Sequence, residues 1–265
     1  MIRMRHTLPI HNRRGTSLLE LLIALSMSTI VIAGVYQVYN FVTVSTLREK
    51  QKAELQRDII TVSSQIERDI RSAGSYLPGN GVTAILENEG NDRLSMYINE
   101  TRRETVLSAI AQPVSWYIRV PDTVGYGFTV GGSVCIAATG IDTIYRRITR
   151  IGMCSSGPDT LHLSMWLISG PFPAGSRVFP AIRIRYQITP TPTPKLSRVR
   201  NLDTINIGGL LDSLNVIPKN VAGNPVGNNI DQAALVTVLV GGHVGKDGNR
   251  VFIGDSTEVN IRNNN

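Results

Sequence analysis

The chain has 265 residues, enough for one large domain or two small ones beyond a membrane segment. Its 42% hydrophobic and 18% charged residues exclude global disorder. The formal charge is +7, but Arg3, Arg5, Arg13 and Arg14 precede Gly15 with no acid among them, and without residues 1–15 the balance falls to +3. The basic character is therefore partly that of a leader, and is weak ground for a nucleic-acid-binding class.

The first element is an apolar run from Leu18 to Val44 in which Glu20 is the only formal charge. As a helix of about 27 residues it spans ~40 Å, enough to cross a bilayer. Arginines flank its N-terminal side, which keeps that end cytoplasmic and sends the rest outward. A secretory signal peptide fits poorly, because its cleavage site follows a shorter apolar core, and here Gly15 precedes the run. Past Val44 the pattern becomes amphipathic. Leu55, Ile59, Val62, Ile66 and Ile70 fall on one helical stripe with charges around it. Gly74, Pro78, Gly79 and Gly81 then terminate it. The spacing predicts one helix from about residue 17 to about residue 73, its first half suited to lipid and its second to a domain surface.

The stretch RRGTSLLELLIAL resembles the N-terminus of type IV prepilins and type II secretion pseudopilins. In that family a basic leader ends in glycine, a dedicated membrane peptidase cuts after it, and the new N-terminus is usually methylated. A glutamate at the fifth mature position is the hallmark. The resemblance implies cleavage between Gly15 and Thr16, N-methylation of Thr16, and an assembly role for Glu20. Thr16 departs from the Phe or Met often found at that position. The match covers about residues 13–45. It also gives the intramembrane acid a purpose. An ionised carboxylate costs roughly 2.5–3.5 kcal/mol at a membrane-helix centre, less near an end, and the helix dipole favours an anion in the first turns. The Thr16 ammonium, its own or a neighbour's, can pair with Glu20.

From Val82 onward the sequence reads as β-rich. Candidate strands are residues 93–98, 113–120, 133–137, 144–151, 160–168, 181–188, 234–240, 250–254 and 257–261. In AIRIRYQI, Ile182, Ile184, Tyr186 and Ile188 share one face. KDGN (246–249) reads as a hairpin turn. TPTPTP (189–194) reads as a stiff loop within one domain rather than a boundary. VIPKNVAGNPVGNNI (216–230) reads as a loop. The expected class is α+β: a long N-terminal helix, part transmembrane and part amphipathic, packed on an antiparallel β-rich pilin-like head. The expected organisation is a leader at 1–15, a transmembrane and filament-core helix at 16–47, and an exported head at 48–265 that includes the amphipathic half-helix to about 74. QIERDIRSAGSY (65–76), DTINIGGLLDSLNV (203–216) and STEVNIRNNN (256–265) resemble segments of PilW-type minor pilins and J-type pseudopilins.

Other motifs carry less. LVGGHVGKDG (239–248) is one residue short of a phosphate-loop spacing and has Asp247 after Lys246. His162 and His243 have no partner at metal-ligand spacing, so no zinc site is expected. Asp247, Asn249 and Asp255 allow a calcium loop, but turn residues and surface charge explain them as well, and no cofactor is expected. No nucleophile, base and orienter assemble, so no enzyme is expected. Cys135 and Cys154 can form a disulfide if the chain is exported, two free thiols being the alternative. Arginines cluster at Arg146, Arg147 and Arg150, and with Lys195 at Arg183, Arg185, Arg198 and Arg200. They are read as solvated strand faces, with DNA contact as the rival.

The resemblance implies a minor type IV pilin that helps initiate or tip pilus assembly, with a type II secretion pseudopilin or a DNA-uptake pilus subunit as alternatives. The implied partners are other major and minor pilins, the prepilin peptidase and the inner-membrane assembly platform. The implied location is the inner membrane as a single-pass protein, then the periplasm and the cell-surface pilus. An unassembled membrane adaptor that keeps residues 1–15 is the rival outside the family.

Overall fold

The computed structural model describes residues 17–77, 93–167, 170–189, 194–226, 233–244 and 251–260. Among the described residues one helix, α1, spans Leu18–Ser72 and is followed by twelve strands. The chain divides into two units, Met1–Lys50 and Gln51–Asn265, so the boundary falls inside α1. In the first unit every described residue is exposed. This half of α1 is long and apolar enough to cross a membrane. Ser26, Ser28, Thr29, Thr43 and Thr46 return their hydroxyls to carbonyls three or four residues back, as Ser26 does to Leu22 and Thr43 to Tyr39. These hydroxyls are thereby satisfied within the helix itself.

In the second unit Leu55, Ile59, Val62, Ile66 and Ile70 are all buried, as their spacing predicts. The helix stops where Gly74 takes a positive φ of 72° and donates its N–H to the Tyr97 carbonyl. The strands are β1 (Arg93–Ile98), β2 (Thr105–Val106), β3 (Tyr117–Val120), β4 (Ser133–Ala138), β5 (Ile141–Gly152), β6 (Asp159–Leu163), β7 (Arg177–Thr189), β8 (Lys195–Arg200), β9 (Asp203–Asn206), β10 (Ser213–Lys219), β11 (Leu235–Val244) and β12 (Val251–Asn260). One sheet runs β3-β6-β5-β4-β7-β8-β9, with β1 and β2 also paired to β7, and a second runs β10-β11-β12. Every described strand pair is antiparallel. The architecture is α+β.

The helix stripe closes a core with Leu94 and Met96 of β1, Ile184 and Tyr186 of β7, and residues of β10, β11 and β12 as far as Val259. A second core lies away from the helix, among Ile118, Val134, Ile136, Ile148, Leu161 and Phe172. Strand β7 belongs to both sides of the design. Its even-numbered residues Ile184 and Tyr186 face the helix, and Arg183 and Arg185 alternate to the other face.

Several sequence expectations change. The strand expected at 113–120 begins only at Tyr117, because Val114 sits at a positive φ of 61°, which a β-branched residue cannot carry inside a ladder. The strand expected at 160–168 ends at Leu163. Residues 250–254 and 257–261 belong to one strand, β12. Residues 216–219, read as loop, are the end of β10, where Val216 pairs with Val238 and Lys219 with Leu235. Pro218 misled there. As β10 is an edge strand, a missing N–H costs its ladder little. Strands β8 and β9 were not foreseen. The TPTPTP segment lies mostly outside the described residues, but Thr189 pairs with Lys195 across it, so both flanks belong to one sheet. KDGN also lies outside the described residues, between the paired β11 and β12.

The expected disulfide is the main correction. Both cysteines are free. Cys135 pairs across β4–β5 with Tyr145, and β5 then runs on to Gly152 before Cys154 is reached. At ~3.3 Å per residue that separates the thiols by about 20 Å or more, against the ~7 Å limit between Cα atoms of a disulfide. Cys154 is also fixed in place, since its N–H is held at 2.9 Å by the buried carboxylate of Asp159. That carboxylate also accepts the Thr123 N–H and hydroxyl. The Cys154 N–H first, then the Thr123 donors, hold its pKa below the usual carboxylate value. Burial pushes the Cys135 thiol up to about 12. A thiol reagent is expected to label one cysteine in the native protein, the exposed Cys154, and two after non-reducing denaturation. Finding no free thiol in the denatured protein would restore the bond.

Candidate functional site

The N-terminal end of α1 is built from a four-residue motif, Ser17-Leu18-Leu19-Glu20. The Ser17 hydroxyl accepts the Glu20 N–H at 3.3 Å, and the Glu20 carboxylate accepts the Ser17 N–H at 3.3 Å. This is a reciprocal capping box, in which serine and glutamate three apart satisfy two orphan donors of the first turn. The sequence reading assigned Glu20 an ammonium partner and overlooked Ser17, although the Ser-x-x-Glu spacing was legible. Only one carboxylate oxygen, Oε2, is engaged by the box among the described residues. The other remains available to a cation. Gly15 and Thr16 lie outside the described residues.

The second polar device fastens the end of α1 to the sheet. Asp69 is buried on the inner face of the helix, five residues before Gly74. One of its oxygens accepts the Tyr186 hydroxyl at 2.6 Å and Arg198 Nε at 2.9 Å, and Arg198 Nε also reaches the Tyr186 oxygen at 3.2 Å. Burial first, then the Asp69 charge, raises the Tyr186 phenol well above its ordinary range, so it remains a donor. Burial works against the Arg198 charge, but the Asp69 hydrogen bond and charge together outweigh it and hold the guanidinium protonated. Arg198, read from sequence as part of a solvated face, therefore belongs to a half-buried charge pair.

The remaining arginines separate. Arg200 pairs with Glu100. Arg150 is exposed. Arg146, Arg147, Arg183 and Arg185, distant in sequence, line one hollow on the sheet face opposite the helix. Three of them are half-buried, so this is not the plain solvated face expected. Arg183 and Arg185 both donate to the Ser95 hydroxyl, at 3.2 and 3.3 Å.

The other candidates do not assemble. His243 meets the Asp212 carboxylate at 2.9 Å, a partner not foreseen from sequence. His162 on β6 lies beside the Tyr117 ring. Among the described residues no three His, Cys, Asp or Glu side chains gather as metal ligands. Asp247 and Asn249 lie outside the described residues, and Asp255 accepts the Ser256 N–H. Gly241 and Gly242 of the LVGGHVGKDG motif serve packing. A Cβ on Gly242 would meet the Leu210 carbonyl oxygen at 2.1 Å, and one on Gly241 the Phe252 ring at 2.4 Å. No family model, curated protein or solved structure matches the chain.

Proposed function

We propose that the chain is a minor type IV pilin of the PilW type, a non-enzymatic filament subunit anchored in the inner membrane with its N-terminus cytoplasmic. On this reading the prepilin peptidase cuts after Gly15, Thr16 is methylated, and the exposed first half of α1 packs beside other major and minor pilins in the filament core. The head then selects neighbours at initiation or at the tip. The observation that carries the reading is the start of α1. A helix exposed throughout Leu18–Lys50 begins with a capped glutamate that is the only formal charge before Arg48. The capping box and the helix dipole lower the cost of holding that carboxylate at the edge of lipid. The box uses only atoms of Ser17 and Glu20, so it survives cleavage after Gly15 and leaves one oxygen for the new ammonium of Thr16 or of a neighbouring subunit. The assembly platform that co-purifies with the protein assigns the filament to a pilus or to a type II secretion system.

Two substitutions test the charge apart from the cap. Glu20→Ala removes both. Glu20→Gln keeps a capping-box side chain and removes the charge. Both variants are expected to be inserted and cleaved after Gly15, since an uncharged residue eases insertion, and both are expected to be missing from sheared filaments. N-terminal sequencing and immunoblots of sheared and membrane fractions read the two steps. Wild-type amounts of Glu20→Gln in filaments would leave only a capping role for Glu20. Mature protein that retains Met1 in piliated cells would overturn the whole reading.

A further inference from the structure

The β3-β6-β5 end of the large sheet carries a cluster of exposed apolar side chains. Tyr117 at the start of β3 is registered against His162 near the end of β6, so residues 114–117 and 164–167 meet there. Their backbones are tied together. The Leu163 N–H bonds the Trp116 carbonyl, the Leu167 N–H the Ser115 carbonyl, and the Val114 N–H the Leu167 carbonyl. Trp116 and Trp166 stand edge to face with ring centres 5.4 Å apart, yet remain 51% and 47% exposed. Met165 is exposed next to Trp166. Ile110, Val114 and Tyr117, all exposed, share one hollow with Arg119. Val114 is 68% exposed at its φ of 61°, so burial does not repay a conformation that is costly for a β-branched residue.

The outer face of the same three strands is basic. Ile118, Leu161 and Ile148 belong to the core, which leaves Tyr117, Arg119 and His162 on the outside. Arg150 is registered against His162 and faces outward with it. The register break between Ile148 and Arg150 inserts one residue, so Arg147, three positions before Arg150, shares its face. Arg119, Arg147 and Arg150 are all exposed. No aspartate or glutamate occurs in residues 105–121, 143–158 or 160–176. Asp159, the acid between the last two stretches, is buried and bound to Thr123 and Cys154.

Half-exposed tryptophan and tyrosine beside unopposed arginines match the chemistry of a membrane interface. The amphipathic rings suit the headgroup level, and guanidiniums suit lipid phosphates. A single-stranded nucleic acid would use the rings and the arginines, but it offers nothing to the aliphatic Ile110, Val114 and Met165. We propose that this end of the head docks on an anionic lipid surface, with Trp116 and Trp166 entering the interface and Arg119, Arg147 and Arg150 meeting lipid phosphates. The inference rests on the reading of α1 as a membrane anchor. Such an anchor ties the head to the surface it would meet, so even a weak contact is formed within one molecule.

The test uses the full chain reconstituted in vesicles of equal parts phosphatidylglycerol and phosphatidylcholine. The chain has two tryptophans, Trp116 and Trp166, and α1 has none, so tryptophan emission reports this patch alone. Bromine on the acyl chains is expected to quench that emission, and less so in pure phosphatidylcholine or at high salt. Arg119→Gln and Arg147→Gln are each expected to shift the balance between docked and free head about fivefold toward free. Val114→Asn removes an apolar contact but suits a positive φ, so it is expected to melt no lower than wild type and still to lose quenching. Val221→Asn, at an exposed valine beyond β10, is expected to be quenched as wild type is. Flotation with the vesicles after an alkaline wash reads the α1 anchor separately. A chain that floats with unquenched tryptophans overturns the docking and leaves the anchor, whereas failure to float overturns the anchor and the docking with it. Quenching that both arginine variants and Val114→Asn leave unchanged also overturns the docking. Emission that responds to single-stranded oligothymidylate instead of brominated lipid would assign the face to nucleic acid, and emission that follows only protein density would assign it to a second copy.

Discussion

Gly242→Ala is expected to destabilise the head by about 3 kcal/mol or more, the upper end for forced overpacking. The added Cβ meets the Leu210 carbonyl oxygen at 2.1 Å, the Leu210 carbonyl carbon at 3.1 Å and Leu55 Cδ1 at 2.9 Å. Two of the three are backbone atoms, and the third belongs to a fully buried side chain on the helix stripe. Neither can move aside without separating β11 from the segment before β10 or pushing α1 outward. Gly209→Ala is the control. Nothing lies within 4 Å of its added Cβ and its φ is not positive, so it is expected to cost a few tenths of a kcal/mol at most. Urea unfolding followed by tryptophan emission reads the difference, because both tryptophans, Trp116 and Trp166, lie in the head. A Gly242→Ala midpoint equal to that of Gly209→Ala would show that the helix and β11 are less closely packed than described.

The second large effect is expected at Asp69. Asp69→Ala removes the partner of both Tyr186 and Arg198 and leaves a half-buried guanidinium without its counter-charge, at a cost of about 3 kcal/mol, the low end for a buried pair. Tyr186→Phe deletes only one neutral donor and is expected to cost about 1 kcal/mol. The double variant Asp69→Leu with Arg198→Met removes both charges together, and is expected to recover most of the loss. That recovery decides the matter. If the double variant is as unstable as Asp69→Ala, the loss comes from packing at the helix end and not from a stranded charge.

How much was legible depended on whether a signal was local. The helix could be read because its apolar stripe repeats without interruption over Leu55–Ile70 and a glycine ends it. The α+β class followed from strands such as β1 and β7, whose alternation is carried by their own residues. The failures were cases where a neighbour overrode the local pattern. Pro218 argues against a strand until its edge position is known. Gly241 falls just past the strand expected at 234–240, yet it sits opposite Gly254 in a ladder under the Phe252 ring, which covers both. The cysteines looked adjacent because their strands are consecutive, but the register runs Cys154 past the end of the pairing. The arginine hollow was invisible for a related reason. Its two halves lie over thirty residues apart, and only the β5-β4-β7 order joins them. At the helix start the error had a different source. Glu20 was read for its charge alone, so the geometry it shares with Ser17 went unexamined.

The core beneath the helix joins residues from nearly opposite ends of the chain, Leu55 to Val259. During synthesis the stripe is made among the first segments, and β10, β11 and β12, which cover part of it, are made last. For that whole interval five large aliphatic side chains have no completed surface to rest on. Such long-range closure is slow, since the loop entropy must be overcome before any contact rewards it. The newborn chain therefore passes through a period in which its most adhesive surface is open to other copies or to a holding chaperone. A chain that loses β12 never leaves that period.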